Sequence, residues 1–215
     1  NFKGVWQPKK FGEQTLIYTT GEVALRRTVN VTACWYNPDA SITPDVAEAY
    51  FFICSLSDGE ITITGIQGNC PKEMVIPSNV YGYPVTSIGD YAFRNCSGLT
   101  SVTIPEGVTS IGYQAFGWCS SLTSVHISNL AAWCGIDFGD AYGNPLYYAK
   151  NLHLNGELIT DLVIPEGVTS IGNWAFYKCS SLTSVTIPEG MIEIGERMFY
   201  GCSGLTSVTI PSSVT

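Results

Sequence analysis

A unit of 23 residues recurs through the C-terminal three quarters of this sequence. The pentapeptide VTSIG at residues 85–89 returns at 108–112 and 168–172, and a divergent copy, MIEIG, follows at 191–195. Each copy precedes Ala-Phe or Met-Phe, then a cysteine, and then the pattern Leu-Thr-Ser-Val-x-Ile. A unit this short does not enclose its own hydrophobic core, so neighbouring units must stack and bury one together. The repeat therefore predicts a solenoid.

Within the unit, the apolar residues have the spacing of a leucine-rich repeat strand. Leu99, Val102 and Ile104 are separated by polar residues, as in a strand with one buried face. The proline that follows has no N–H for the next strand pair, so the strand ends there. Val108 and Phe116 return the chain to the interior. These features predict a mainly β fold with short helical or 3-10 turns, a right-handed stack of leucine-rich repeat coils.

One coil is longer than the others. Val125 and Leu162 occupy equivalent positions but lie 37 residues apart, so we expect an insert of 14 residues within about residues 128–158. Asn129 before an apolar run predicts a capped short helix, and Asn155-Gly156 between apolar stretches predicts a type I′ hairpin. The first strand of the array is expected at residues 60–65.

Residues 1–57 lack the repeat and form a separate β-rich region, which we expect to cap the solenoid at residues 58–215 or to dock on another protein. This region has five basic and five acidic residues, so the whole net charge of −8 belongs to the repeats. An acidic solenoid argues against nucleic-acid binding. The chain has no apolar run long enough to span a membrane. The C-terminal coil is incomplete, and we expect further chain or a partner to cover it.

Residues 58–215 resemble BspA-like leucine-rich repeats, a surface-protein repeat class of oral and gut bacteria and some mucosal protozoa. The resemblance rests on the repeat, on the entry segment at 58–65, and on the long coil from 132–134 to 155–158. It implies a secreted or surface-anchored adhesin without catalysis. It also implies a protein or glycan ligand on a host or neighbouring cell, but transfers no binding residues.

Four of the eight cysteines share one repeat position and are expected to form a column of buried thiols: Cys96, Cys119, Cys179 and Cys202. Side chains strung in parallel along an axis do not converge on a zinc ion and are poorly oriented for disulfides. The other four cysteines do not occupy this repeat position: Cys34, Cys54, Cys70 and Cys134. Among them, a disulfide between Cys34 and Cys54 is the first choice. No metal or cofactor is expected.

The candidate contact residues lie in two sets. The first comprises outward positions of the strands: Ser101, Thr103, Ser124, His126, Asp161, Ser184 and Thr186. The second comprises aromatic residues that the repeat does not require, chiefly Tyr113, Trp118, Trp174, Tyr177, Tyr147 and Tyr148, with Tyr142 and Tyr200 beside them. Thr and Ser also suit exposed strands by propensity, and packing of the aromatics on neighbouring coils is an equal alternative to ligand contact.

Other chemistry is sparse. His126 and His153 both alternate with apolar residues, so both are expected to face outward as surface histidines. An approach of the two across the long coil is left open. Asp137, Asp140 and Asn144 have no calcium-loop spacing and are expected in a solvated loop. No catalytic motif occurs, and a hydrolase using Asp161 with either histidine is the weakest alternative.

We therefore expect a non-enzymatic extracellular or cell-surface module for adhesion or recognition. The alternative is a structural subunit of an extracellular fibre, surface layer or phage-like appendage. Such a subunit would assemble through residues 1–57 and the open C-terminal coil.

Overall fold

The structure is a computed structural model that describes residues 12–20, 23–31, 33–36 and 50–214. It consists mainly of strands, with two short helices in the described part, α1 (Leu130–Cys134) and α2 (Leu146–Ala149). The repeats form a β-solenoid of about six turns, so the predicted leucine-rich repeat fold is confirmed. Neither helix among these residues has the length and apolar content needed to cross a bilayer.

Each regular coil contributes one strand to each of two columns. The strand column contains β6 (Glu73–Val75), β9 (Ser101–Thr103), β11 (Ser124–Ile127), β13 (Leu152–Leu154), β15 (Asp161–Val163), β17 (Ser184–Thr186) and β19 (Ser207–Thr209). The return column contains β8 (Tyr83–Ile88), β10 (Ser110–Ile111), β12 (Asp137–Phe138), β16 (Ser170–Ile171) and β18 (Glu193–Ile194). Val102 lies opposite Val125 in a parallel pair, so residues 23 apart are neighbours, as the repeat predicts.

The core is a column of equivalent apolar side chains. Val102, Val125, Phe93 and Phe116 are all buried, and the rings of Phe93 and Phe116 lie 5.2 Å apart. Each coil therefore stabilises the coil beside it, because the side chains that fill its centre contact the next coil.

The first coil is covered by two antiparallel strands, β4 (Tyr50–Ser57) and β5 (Glu60–Gly68). β5 pairs in parallel with β8, and β3 (Ala33–Tyr36) extends the sheet beyond β4. Phe52 of β4 is buried, with its ring 6.1 Å from that of Phe93. The cap hypothesis for residues 1–57 stays a prediction. Upstream, β1 (Gly12–Thr20) and β2 (Val23–Val31) form an antiparallel pair, and apart from these strands and β3, residues 1–49 lie outside the described residues.

The long coil differs from the single 14-residue insert that the repeat spacing suggests. Leu152, not Leu162, lies opposite Val125 in the strand column, so the coil that follows Val125 has 27 residues. The remaining extra residues form a hairpin of β13 and β14 (Glu157–Leu158), after which the strand column resumes. Asn155 and Gly156 have φ of 52° and 92°, as a type I′ turn requires. The predicted hairpin is confirmed.

The predicted helix cap is also confirmed. Asn129 is the N-cap of α1, and its side-chain oxygen accepts a hydrogen bond of 3.1 Å from the backbone N–H of Ala132. A second, shorter hairpin joins β7 (Asn79–Val80) to β8.

The long coil interrupts both columns. β14 pairs with β13 along its edge, and β15 begins a separate three-stranded sheet with β17 and β19. In the return column, β16 pairs with β18 and not with β12. We call this junction, between residues 133–146 and 170–175, the seam.

At the seam, side chains supply donors that the backbone supplies between regular coils, although a backbone hydrogen bond remains, from the Gly172 N–H to the Cys134 carbonyl at 3.0 Å. In a regular coil the Phe93 N–H donates to the carbonyl of Ala115 on the next coil, at 2.8 Å. At the seam the carbonyl of Ala175 instead accepts from the Trp133 indole N–H at 3.0 Å and from the Asn144 amide at 3.2 Å. Two buried side chains thus replace the missing backbone donors.

The cysteine column is only partly as predicted. Cys96 is not a thiol, because it forms a disulfide with Cys70, and their Cα atoms are 5.5 Å apart. The expectation failed because Cys70 lies in an irregular segment whose approach to the column the repeat does not encode. The other column members are buried free thiols, as is Cys134. Burial raises the pKa of Cys119 and Cys202 to about 12, which keeps them protonated and inert.

The predicted Cys34–Cys54 pairing stays a prediction. The two residues lie opposite each other in the antiparallel pair of β3 and β4, but the side chain of Cys34 lies outside the described residues. Within the described residues, no group of three or more His, Cys, Asp or Glu side chains is arranged to hold a metal ion.

Candidate functional site

The outward face of the strand column carries the first set of candidate residues. Equivalent side chains of neighbouring coils lie in rows, such as Ser101 beside Ser124 and Ser184 beside Ser207. The seven candidates are partly or fully exposed: Ser101, Thr103, Ser124, His126, Asp161, Ser184 and Thr186. The hairpin divides this face into two sheets, so it is not one continuous polar surface. Their role in binding stays a prediction.

Many threonines next to this face have a structural use. The hydroxyl of Thr123 donates to the carbonyl of Thr100 on the preceding coil at 3.0 Å, and Thr183 donates to Thr160 in the same way at 3.2 Å. These threonines tie coil to coil, which explains why they recur without any need for a ligand.

Asp161 accepts hydrogen bonds from hydroxyl groups of its own and the next coil. The Ser184 hydroxyl lies 2.6 Å and that of Thr160 lies 3.1 Å from its carboxylate oxygens. These bonds favour the charged form and hold the pKa of Asp161 below its usual value. The carboxylate thus links two strands, an arrangement that favours a structural role over a catalytic one.

The structure brings the two histidines together, an approach that the sequence left open. His126 and His153 lie opposite each other on β11 and β13, and their rings stack with centroids 4.6 Å apart. His126 Nε2 lies 3.2 Å from the Ser124 hydroxyl, and Nδ1 of His153 is buried with no hydrogen-bond partner among the described residues. Burial and the neighbouring His153 both lower the pKa of His126, and the more distant Glu73 opposes them.

The lowered pKa of His126 predicts a loss of stability in mild acid. The pKa of a histidine in the unfolded chain is about 6.5. Above that pH His126 is neutral in both the folded and the unfolded chain, so its titration does not reduce the free energy of unfolding. As the pH falls towards the folded-state pKa, the unfolded chain binds the proton first and stability is lost. We expect the melting temperature of the wild type to fall more steeply between pH 7.5 and 5 than that of His126→Gln, measured by circular dichroism. Parallel curves for the two proteins would contradict this expectation.

The second set of candidates lies on the turns that follow the return column. Five tyrosines form one continuous cluster, which we call the tyrosine ladder: Tyr142, Tyr147, Tyr148, Tyr177 and Tyr200. The rings of Tyr147, Tyr177 and Tyr200 stack in succession, with centroid distances of 5.8 and 5.2 Å. The ladder therefore runs along the solenoid axis across the seam.

Trp118 extends the ladder by one coil. Its backbone N–H donates to the Tyr148 hydroxyl at 3.0 Å, and its side chain is 62% exposed.

Of the other candidates, Tyr113 is exposed, Trp174, Tyr147 and Tyr148 are partly buried, and Tyr177 is buried within the stack. Lys178, which no sequence signal singled out, places its ammonium nitrogen 3.6 Å from the centre of the Tyr147 ring.

Several of these side chains sit on left-handed backbone. Trp118 has φ of 64° and Lys178 has φ of 58°, and the equivalent residues of other coils are Asn95 at 67° and Gly201 at 77°. Asn and Gly adopt this conformation readily, and other residues do so at a cost of about 1–2 kcal/mol. Trp118 thus carries an exposed indole at a position where the fold favours a residue with little or no side chain.

The expected solvated loop at 137–144 is instead structural. Asn144 is fully buried and donates to the carbonyl of Trp174 at 2.7 Å in addition to that of Ala175. Asp140 accepts from the backbone N–H groups of Gln114 and Gly143 at 2.9 and 2.7 Å. Sequence reasoning missed this role because Asn in a glycine-rich segment is typical of an ordinary turn.

A shallow cleft of about 250 Å³ opens at the seam, between α1 and the start of the next return strand. Asp137, Ser170, Asn173 and Glu193 provide polar side chains to its lining. Both of its charged groups are carboxylates, and neither takes part in the tyrosine ladder.

A family model described as the BspA type leucine-rich repeat region matches six copies, over residues 64–134 and 150–215. No curated protein matches the chain.

Three solved structures from bacteria are similar to the chain. A leucine-rich repeat protein of T. pallidum is 27% identical, with a TM-score of 0.46, over 79% of this chain and 71% of that protein. A leucine-rich cell surface protein of Faecalibacterium prausnitzii is 28% identical, with a TM-score of 0.43, over 80% of this chain. A leucine-rich repeat protein of Bacteroides ovatus is 25% identical, with a TM-score of 0.42, over 79% of this chain. The matches span 55% and 48% of the last two proteins.

Proposed function

Because the chain belongs to the BspA-type leucine-rich repeat family, we propose that it is a secreted or surface-displayed adhesion module. It recognises its partner through the outer surface of the solenoid and performs no catalysis. Repeat families of this kind generally serve as interaction scaffolds, because stacked coils expose one extended surface. The proposal adds the cellular location and the adhesive role to that general function.

The observation that carries the proposal is Trp118. Its indole is largely exposed and so contributes little burial to the fold, yet its backbone is in the left-handed region. Asn95, Lys178 and Gly201 have the same backbone at this position in other coils, so the exposed indole is what distinguishes Trp118. Strained residues with exposed side chains are typical of functional surfaces, and tryptophan is prominent among residues that dominate binding.

The chemistry of the remaining polar groups supports a role without catalysis. The free thiols of the repeat column are buried, and burial raises the pKa of each of them. Asp161 is hydrogen-bonded to hydroxyls of its own and the next coil, and the two histidines stack on each other. None of these arrangements pairs an accessible nucleophile with a base.

The proposal is tested with the variant Trp118→Gly, which suits the backbone because Gly201 has φ of 77° at the equivalent position. We expect unfolding in urea to be unchanged or shifted towards higher stability by up to about 1 kcal/mol. Retention on epithelial monolayers, matrix-coated wells or bacterial cells should fall at least ten-fold.

The matched control is Val163→Thr, which alters an exposed side chain on the strand column. It should bind like the wild type. A wild-type protein that none of these surfaces retains, or a Trp118→Gly variant that adheres as well as the wild type, would refute the proposal.

A further inference from the structure

We propose that the tyrosine ladder, with Trp118 at its end, binds a neutral glycan chain. This inference rests on the proposed adhesive function and names the class of partner. Four properties of the ladder carry it: its order, its low charge, its length, and its separation from exposed aliphatic side chains.

The ladder is ordered before any ligand binds. Tyr142 and Tyr177 each contact the central ring of Tyr147, with centroid distances of 4.4 and 5.8 Å, and Tyr200 stacks on Tyr177 at 5.2 Å. The ammonium group of Lys178 lies over Tyr147. Rings that hold one another lose little rotamer entropy on binding, which favours weak ligands such as sugars.

The ladder has little charge, although the chain as a whole is strongly acidic. Lys178 is already engaged with the tyrosine rings. Arg197, which also acts on Tyr177, forms an ion pair of 3.2 Å with Glu196. A hydrogen bond with Tyr147 raises the pKa of Tyr142, and burial raises that of Tyr177, so these hydroxyls stay neutral. Neutral hydroxyls both donate and accept hydrogen bonds, whereas an acidic protein repels anionic polymers. Both properties favour an uncharged partner.

The exposed side chains of the repeats are sorted by chemistry. The large exposed aliphatic residues lie within a strand or one residue from it: Val75, Leu158, Val163, Ile192, Val208 and Ile210. Those exposed on the return turns are aromatic, namely Tyr91, Tyr113, Trp118, Tyr142 and Tyr200. Ile192, which lies beside the return strand β18, and Tyr83, which lies within β8, depart from this division. Protein interfaces combine aromatic anchors with aliphatic pockets. A surface of aromatic rings and hydroxyls without aliphatic neighbours better fits a sugar.

The shape of the ladder fits an extended chain of sugars. A pyranose ring has a flat C–H face, which packs on an aromatic ring, and a rim of hydroxyls, which bond to phenol groups. Tyr200 is 60% exposed at one end of the ladder and Trp118 at the other. They lie three coil steps apart, or about 14 Å at the spacing of paired strands. The two exposed rings are thus placed to contact separate sugars of one oligosaccharide.

The test is affinity electrophoresis in native gels that contain one soluble polysaccharide each. The neutral probes are glucomannan, xyloglucan, β-1,3-glucan and galactan, and the anionic ones are polygalacturonate and heparin. We expect at least one neutral probe to retard the wild type and the anionic probes to have no such effect. Trp118→Gly and Tyr200→Ala should each raise the dissociation constant for that probe at least ten-fold.

The matched control is Tyr91→Ala, which removes an exposed tyrosine outside the ladder and should leave retardation unchanged. Thermal melts establish that each variant is folded. Absence of retardation by every neutral probe, retardation only by an anionic probe, or equal retardation of the ladder variants would overturn the proposal. If Trp118-dependent adhesion to cells persists in any of these cases, the partner is not a neutral glycan bound by the ladder, and the adhesive function stands.

Discussion

Replacing Asn144 with leucine is expected to lower the free energy of unfolding by about 3 kcal/mol or more. Asn144 is fully buried, and its amide supplies donors to the carbonyls of Trp174 and Ala175. Its side-chain oxygen accepts from the backbone N–H of Leu146 at 2.8 Å. Leucine has a similar volume but removes all three hydrogen bonds, each worth about 1 kcal/mol, and leaves the Leu146 N–H without this acceptor. The carbonyls of Trp174 and Ala175 keep one donor each, the Tyr177 N–H and the Trp133 indole.

Urea unfolding followed by tryptophan fluorescence measures this loss. Asn129→Ala is the matched control, because it removes an exposed asparagine whose helix-cap bond contributes about 1 kcal/mol. Asn144→Asp, which keeps the acceptor but removes the donors, should be as destabilising as Asn144→Leu. A loss no greater than that of the Asn129 variant would show that the seam does not depend on Asn144.

Replacing Phe116 with alanine is expected to lower the free energy of unfolding by about 3–5 kcal/mol. The ring is buried at the centre of a coil, beside that of Phe93 on the preceding coil. Alanine leaves a cavity between two coils, and each coil depends on contacts with its neighbours. The same urea experiment measures the effect.

Tyr113→Ala provides the comparison, since Tyr113 is an exposed aromatic residue three positions before Phe116. Its loss should change the free energy of unfolding by no more than about 0.5 kcal/mol. Similar losses for the two variants would mean that the aromatic column does not carry the stability of the coils.

The regular coils were predictable because each apolar position is repeated. Val102, Val125 and Phe116 are buried as the 23-residue pattern requires, and Asn155-Gly156 forms the hairpin that its residue types predict. Local rules that agree with one another determine these features. The pairing of His126 with His153 did not follow from the repeat, because the spacing placed Leu162 and not Leu152 opposite Val125.

The seam and the disulfide were not predictable from the repeat. The donors that Trp133 and Asn144 provide have no counterpart in other coils, so no periodicity reveals them. Cys70 meets Cys96 across an irregular segment, and sequence separation does not report that approach. The tyrosine ladder was foreseen as a set of candidates, but its stacking depends on α2, whose residues bring Tyr147 beside Tyr177.

The seam also bears on how such a chain can change in length over evolution. Trp133 and Asn144 donate to main-chain carbonyls of the following coil, and those carbonyls are present whatever side chains that coil carries. A duplicated or exchanged repeat with the same backbone would accept hydrogen bonds from the same two side chains. The long coil therefore joins the repeats that follow it through contacts that do not depend on their outer side chains. Those repeats can be gained, lost or changed on their outer surface while the seam keeps the same hydrogen bonds.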